Sequence, residues 1–416
     1  MTPPRRSQTP GLAGHGLATE GSEELIAAPT SGRRGYVLIV PWDLRYPGGV
    51  NQVVLNLVRE IESDGRFVPI VLMSKWRGRV AKPNDVIESI ELRQPIYPHK
   101  PIRSLLGYFF KMPWWLPRLL QTMRSLDPAV INFHYPTLAA WPLLTIRALG
   151  LMRFTVVLSF HGTDVENARK EPWYVAWLWR AMIDRSDHVV ACSENLATQL
   201  RALAPSMKKD AIVINNGITL PTHSNDAQLA PIERPTDRFV LSVGTYVHKK
   251  GMDVVLQAFA LIAPKFPDVS LVLIGRTGAE YPALVKLVAA LDLAQSVSLL
   301  ADLDHETVMR YQRAATVFVL ASRDESFGIA LLEAGASGVP VVASRVGGVP
   351  EILSSPDLGV LVEPDNAEVL AIALEGLLAA SDAMRRRMGE RLKEHVLANF
   401  TWKAAGREYL RLAEAE

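Results

Sequence analysis

An α/β fold of two facing, doubly wound parallel-sheet domains is predicted from three features of the 416-residue chain. Short apolar runs alternate with helix-period segments along the body, the pattern of stacked βα units. The length exceeds what one ordinary core organises, so two domains are expected. The alternation breaks at residues 219–237 (TLPTHSNDAQLAPIERPTD), where three prolines and scattered polar groups mark a linker.

The first series opens with YVLIVPW (36–42), followed by a Gly-Gly turn and an amphipathic helix from Val50 to Glu62. FVPIVLM (67–73), AVINFHY (129–135), FTVVLSFHG (154–162), HVVACS (188–193) and AIVINNGI (211–218) read as further strands. The second series is RFVLSVG (238–244), SLVLIG (270–275), VSLL (297–300), TVFVLAS (316–322), VPVVAS (339–344) and GVLV (359–362). Helical patterns lie between these at 251–264, 279–291, 304–313 and 328–337. The expected division is a disordered tail (1–34), a first domain (35–220), the linker (221–237), a second domain (238–395) and a closing helix (396–416). In such sheets ligands bind at the carboxyl ends of the strands, so the cleft between the domains is the expected site.

Composition narrows the function classes. A net charge of +2 argues against a dedicated nucleic-acid binder. One cysteine, Cys192, excludes an internal disulfide and fits a reducing compartment. No apolar run is long and uncharged enough to span a membrane. Residues 1–34 hold no apolar core segment, so no secretory signal is expected, and a cytoplasmic location is.

Seven residues ahead of the most informative stretch are candidates for the chemistry. Gly48-Gly49 follow the first strand and open its helix, where backbone can approach a phosphate or simply turn. FHGTD (160–164) brings His161 to a strand end, where it can position or polarise a hydroxyl. Its neighbour Asp164 can share that work or cap the next helix. His134, in NFHYP, ends another strand and reads equally as packing. Lys249 and Lys250 precede Gly251 and a helix, a setting that suits a diphosphate.

The most informative stretch is ESFGIALLE (325–333). Glu325 lies in the exit loop of a buried strand, and Gly328 starts a helix that carries Glu333. Free amides near Phe327, Gly328 and Ile329 form an anion site between two carboxylates. An anion flanked by two hydroxyl acceptors matches a sugar, a diphosphate and a ribose in a row. A glycosidase pair is disfavoured by the phosphate-ready glycine between them.

From Tyr36 to the end, these residues resemble the retaining family 4 (group 1) glycosyltransferases, most specifically in ESFGIALLEAGASGVPVVASRVGGVPEIL (325–353). Supporting matches are the early GGV loop, HGTD, NNGI (215–218) and HKKG. The resemblance implies the GT-B fold of two Rossmann-like domains and hexosyl transfer from a nucleotide-sugar to a saccharide or lipid-linked acceptor of bacterial surface-glycan synthesis. It implies Glu325 on the sugar and Glu333 on the ribose. The diphosphate would lie on Lys250 and the amides of Phe327, Gly328 and Ile329. His161 would lie near the anomeric centre, with Gly48-Gly49 facing the donor phosphate. It implies no cofactor and no metal, and a last helix that returns to the first domain. One departure is Thr245, where the family usually has an arginine on the diphosphate; the alternatives are that Lys249 compensates or that donor affinity is weak. The competing classes are a nucleotide-sugar epimerase and a non-catalytic sugar-nucleotide-binding protein, the latter encouraged by Thr245.

One segment stands outside this scheme. Residues 65–126 carry 11 Lys/Arg against three acids, and 102–124 (IRSLLGYFFKMPWWLPRLLQTMR) hold five bulky aromatics and no acid. That region is expected either to touch an anionic membrane surface peripherally or to fill the first domain's core.

Overall fold

The computed structural model describes residues 32–42, 44, 48–74, 89–92, 102–205, 207, 209–219, 232 and 234–414. Nearly all of the expected tail and most of the expected linker lie outside the described residues.

Two parallel sheets organise the chain. The first contains β1 (Gly35–Val40), β2 (Val68–Ser74), β3 (Ser89–Leu92), β4 (Pro128–His134), β5 (Thr155–Phe160), β6 (His188–Ala191) and β7 (Ile212–Val213). Their order is β3-β2-β1-β4-β5-β6-β7. The second contains β8 (Arg238–Val243), β9 (Val269–Gly275), β10 (Val297–Ala301), β11 (Val317–Leu320), β12 (Val341–Ser344) and β13 (Val360–Val362). Here the order is β10-β9-β8-β11-β12-β13. Each strand order reverses once, between β1 and β4 and between β8 and β11, and such reversals open a crevice at the carboxyl ends of the strands. The strands are apolar because both faces are covered: β1 and β5 are buried along their whole length.

In the first domain, α1 (Gly49–Asp64), α2 (Ile102–Leu126), α3 (Trp141–Ala148), α4 (Thr163–Arg169), α5 (Trp173–Arg185) and α6 (Glu194–Leu203) connect the strands. In the second, α7 (Met252–Ile262), α8 (Tyr281–Ala290), α9 (His305–Ala314), α10 (Ile329–Ala336) and α11 (Val349–Ile352) do so. The chain closes with α12 (Ala367–Ala379), α13 (Asp382–Asn399) and α14 (Trp402–Arg411). Side-chain caps set several starts: Ser193 accepts from the Leu196 amide at α6, Asp304 from Thr307 at α9 and Thr401 from Ala404 at α14.

The last helix packs on the first domain. Trp402, Tyr409 and Leu410 are buried with Val53, Val54, Leu57 and Ile61 of α1 and with Tyr36 of β1. Ile218 bridges Thr401 and donates to the Phe400 carbonyl at 3.0 Å, and Gly217 lies where a Cβ would meet the Trp402 amide at 2.2 Å.

Four sequence expectations change. The final strand of the first series shrinks to the two residues of β7, and the short β3 was not anticipated. Gly328 precedes α10 rather than opening it, with φ +109°. The aromatic 102–124 region forms one 25-residue helix despite Pro113 and Pro117. Both prolines are exposed, on the outer side where the helix tolerates missing backbone bonds, while Leu119, Met123 and Leu126 anchor the inner side.

Candidate functional site

The two reversal points place the predicted residues in one cleft. After β8 the chain passes Thr245 and turns through His248–Lys250, and after β11 it enters the loop carrying Glu325. Because β8 and β11 are neighbours, the two loops meet. Lys250 Nζ lies 2.5 Å from Glu325 Oε2, and Ser322 Oγ donates to the same oxygen at 3.2 Å. Among the described residues only that oxygen of Glu325 is engaged, so the other is available to a ligand hydroxyl.

Arg323 holds the two loops together and was missed by sequence reasoning. Its guanidinium binds both oxygens of Asp253 (2.8 and 2.7 Å) at the start of α7, Asp365 and the His248 carbonyl. These partners raise its pKa further, so it is a fixed charge buttressing the turn that presents Lys250. A lone arginine in an exit loop carries no sequence signal for such a task.

Next comes the helix start. Phe327 is buried and packs edge-on against Phe400 at 5.8 Å, so only its backbone faces the site. The Gly328 carbonyl accepts from the amides of Leu331 and Leu332. Among the described residues the amides of Phe327, Gly328, Ile329 and Ala330 have no partner, the usual state of a helix N-terminus ready for an anion. Glu333 lies one turn along α10, about 6 Å from its first residue. Its side chain is only 12% exposed, and burial raises its pKa, opposed by His305 at 3.8 Å and a contact from Gln312 Nε2 at 3.4 Å.

The first domain supplies the facing wall. Gly48 caps α1 in an extended conformation, and a Cβ on Gly49 would lie 3.2 Å from Ile329 Cδ1. The glycine turn and the start of α10 therefore touch across the cleft. Gly162, at φ +113°, comes so close to Ser326 that a Cβ there would meet its Oγ at 1.7 Å. Ser193 Oγ donates to the Ser326 carbonyl at 2.7 Å, Lys249 Nζ to Thr163 Oγ1 at 3.1 Å, and the Asn195 amide to Glu351 Oε1 at 3.3 Å. Lys249 thus reaches across the cleft and does not join Lys250 at Glu325. Thr245 is half-buried and uses its carbonyl to accept from the Val247 amide at 2.7 Å, tightening the turn.

His161 and His134 are brought together at the ends of β5 and β4. His134 Nδ1 lies 3.2 Å from His161 Nε2, with the rings stacked at 5.4 Å. Burial lowers the pKa of His161 to about 4 and that of His134 well below the usual range, so both are neutral near pH 7. Asp164 is buried and accepts from the amides of His161, Gly162 and Val165 at 2.7–3.1 Å. Burial nevertheless pushes its pKa up to about 6, and its place in the structure is to shape the loop that presents His161.

Beside this centre a cleft of about 470 Å³ opens between the domains, walled by Glu166, Arg169 and Asn195 on one side and by Lys249, Asp324 and Ser326 on the other. Among the described residues no group of three or more His, Cys, Asp or Glu converges as a metal set.

The chain matches two family models: Glycosyltransferase Family 4 over residues 47–220 and Glycosyl transferases group 1 over residues 225–395. It is 31% identical to an N-acetyl-alpha-D-glucosaminyl L-malate synthase of Bacillus anthracis, over 65% of this chain and 70% of that protein. It is 28% identical to a phosphatidyl-myo-inositol mannosyltransferase of Mycolicibacterium smegmatis, over 91% of this chain and 92% of the relative. A solved sucrose-phosphate synthase from Thermosynechococcus elongatus superposes with a TM-score of 0.73 at 26% identity, covering 92% of this chain and 98% of that one. The two sheets form the GT-B fold, and the chain belongs to the group 1 glycosyltransferases of family 4.

Proposed function

We propose that this glycosyltransferase moves a hexosyl group, with retention, from a nucleotide-diphosphate sugar to a hydroxyl of a saccharide or lipid-linked saccharide in bacterial surface-glycan synthesis. The observation that carries the reading is the order of groups from the β11 exit loop into α10: the Lys250–Glu325 pair, the unpartnered amides at the helix start, then Glu333. In the absence of ligand Lys250 and Glu325 neutralise each other. A diphosphate drawn to Lys250 and the α10 amides frees the Glu325 carboxylate for the hydroxyls of the transferred sugar. Glu333, kept in a half-buried site where an unpaired carboxylate is costly, gains ribose hydroxyls as donors.

The acceptor hydroxyl would enter through the polar interdomain cleft. Its oxygen bonds to the anomeric carbon as the bond from that carbon to the phosphate oxygen breaks. The proton passes to the departing phosphate oxygen, and the nucleoside diphosphate leaves. Attack and departure share one face, so Glu325 is an orienting group and not a nucleophile. Lys250, the α10 amides and the Gly48-Gly49 turn take the leaving charge without a metal. Likeness to a phosphatidyl-myo-inositol mannosyltransferase supports a hexosyl donor and a glycolipid acceptor.

Incubation with a panel of UDP-, GDP- and ADP-hexoses and an extract of cell-surface lipids tests the reading. Glu325→Ala is expected to lower transfer by about 10²–10³-fold without changing the melting temperature. The anomeric coupling of the product, read by NMR, is expected to match that of the donor. Transfer at the wild-type rate by this variant, or an inverted product, contradicts the assignment.

A further inference from the structure

We infer that the first domain carries a bilayer-docking face, built from the cleft-side halves of α2 and α5 and suited to anionic lipid headgroups. The inference does not depend on the reaction proposed above. On α2, Leu106, Phe110 and Trp114 recur every fourth residue and are 63%, 73% and 70% exposed. That spacing puts them on one face. The rings of Phe110 and Trp114 touch at 5.7 Å. On α5, Trp173 and Trp177 repeat the spacing and are 82% and 61% exposed.

These side chains are not core residues in waiting, because each helix already buries its opposite face. Leu119 and Met123 of α2, and Trp179 and Met182 of α5, enter the same core cluster, and α3 packs against both helices. The two helices therefore cover one face of the first sheet and point their exposed rings outward together. Scattered surface hydrophobes are ordinary, but five large ones on two helices of one layer mark an interaction surface.

Topology sets their position. α2 runs down to the start of β4 and α5 down to the start of β6, so the first halves of both lie at the carboxyl ends of the strands. That is the end at which the interdomain cleft opens.

Charge selects the occupant. Residues 102–126 contain no acid, while Lys111 and Arg118 are exposed beside the aromatic stripe. The one acid of α5, Asp184, sits at its far end. Tryptophan and phenylalanine flanked by lysine and arginine favour the boundary between anionic headgroups and acyl chains. Among the described residues no helix is long and apolar enough to cross a membrane, so the contact is peripheral. Seated this way, the protein would hold the mouth of its cleft at the lipid surface.

The full chain would be sedimented with phosphatidylcholine vesicles, with and without phosphatidylglycerol, at low and high salt. The paired variants Phe110→Ser with Trp114→Ser, Trp173→Ser with Trp177→Ser, and Lys111→Glu with Arg118→Glu would be run beside it, with melting temperatures as the folding control. Wild type is expected to pellet with the phosphatidylglycerol vesicles and to release with salt. Each pair is expected to lower its partition by about tenfold or more at an unchanged melting temperature. Wild type left in the supernatant at low salt overturns the inference, as does undiminished partition of both aromatic variants. A wild-type dimer by light scattering that becomes monomeric in the aromatic variants also overturns it, since a second copy would then cover the face.

Discussion

His134 and His161 share a single proton across 3.2 Å, and burial decides which ring supplies it. Were His161 the donor, the remaining proton of His134 would sit on Nε2, which is buried without a partner. A buried N–H with no acceptor is rarer than a bare lone pair, so His134 donates and His161 carries its own proton on Nδ1. His161 then offers a hydrogen-bond donor to a ligand oxygen and does not serve as a base. His134→Leu is expected to lower kcat about a hundredfold through misplacement of His161, whereas His134→Asn, which keeps a donor near Nδ1, retains most of it. Ring ¹⁵N spectra with the His161 proton on Nε2 would contradict this. Asp164 adds a pH dependence. Its folded pKa, about 6, lies above the ordinary value of 3.8, so the folded state holds the proton more tightly. Its contribution favours folding below about pH 4 and declines by about 3 kcal/mol in all as pH rises from 4 through 6. Denaturant melts from pH 4 to 7 should therefore show that decline in wild type and lose it in Asp164→Asn; an unchanged profile in the variant rules out this origin. Of these residues, His161 and His134 were each legible from a place at a strand end, but their contact was not, because β4 and β5 are brought together only by pairing.

At the scale of elements, α10 and the loop before it depend on glycines packed against backbone. Gly347, at φ +52°, lies where a Cβ would meet the Glu325 carbonyl oxygen at 1.6 Å. The Gly348 amide donates to that same oxygen at 3.2 Å. Gly347→Ala should therefore displace Glu325, lowering transfer by about a hundredfold while costing about 1–2 kcal/mol of stability from the left-handed backbone. Gly376→Ala, in α12 and facing open space, is the control and should stabilise by about 0.5–1 kcal/mol. Equal activity in the two variants would show that Gly347 does not position Glu325. Strand–loop–helix order around Glu325 was readable because VFVL (317–320) is wholly apolar and Gly328 follows a short polar loop. α2 was less readable, since two prolines read as breaks when local bonding is considered alone. Its inner anchors Leu119, Met123 and Leu126 overrule them, and that is a property of the core. SIEL of β3 is too short and polar to carry a strand signal.

At the scale of the molecule, function depends on the two sheets facing each other, and that relation is written in contacts between distant residues. Ser193 with Ser326, Thr163 with Lys249 and Asn195 with Glu351 close the cleft, and α14 returns to α1 beneath it. Sequence periodicity shows two domains but not which loops touch, so Gly162, Ser193 and Arg323 stayed invisible while the carboxylates of ESFGIALLE did not. In the proposed reaction those carboxylates divide one ligand, with Glu325 on the sugar and Glu333 on the nucleoside. Calorimetric titration of wild type, Glu325→Ala and Glu333→Ala with a nucleoside diphosphate and with the matching nucleotide-hexose tests it most directly. Glu333→Ala is expected to weaken both ligands alike, by about tenfold or more, while Glu325→Ala weakens only the nucleotide-hexose. Wild-type affinity of Glu333→Ala for the nucleoside diphosphate would contradict it.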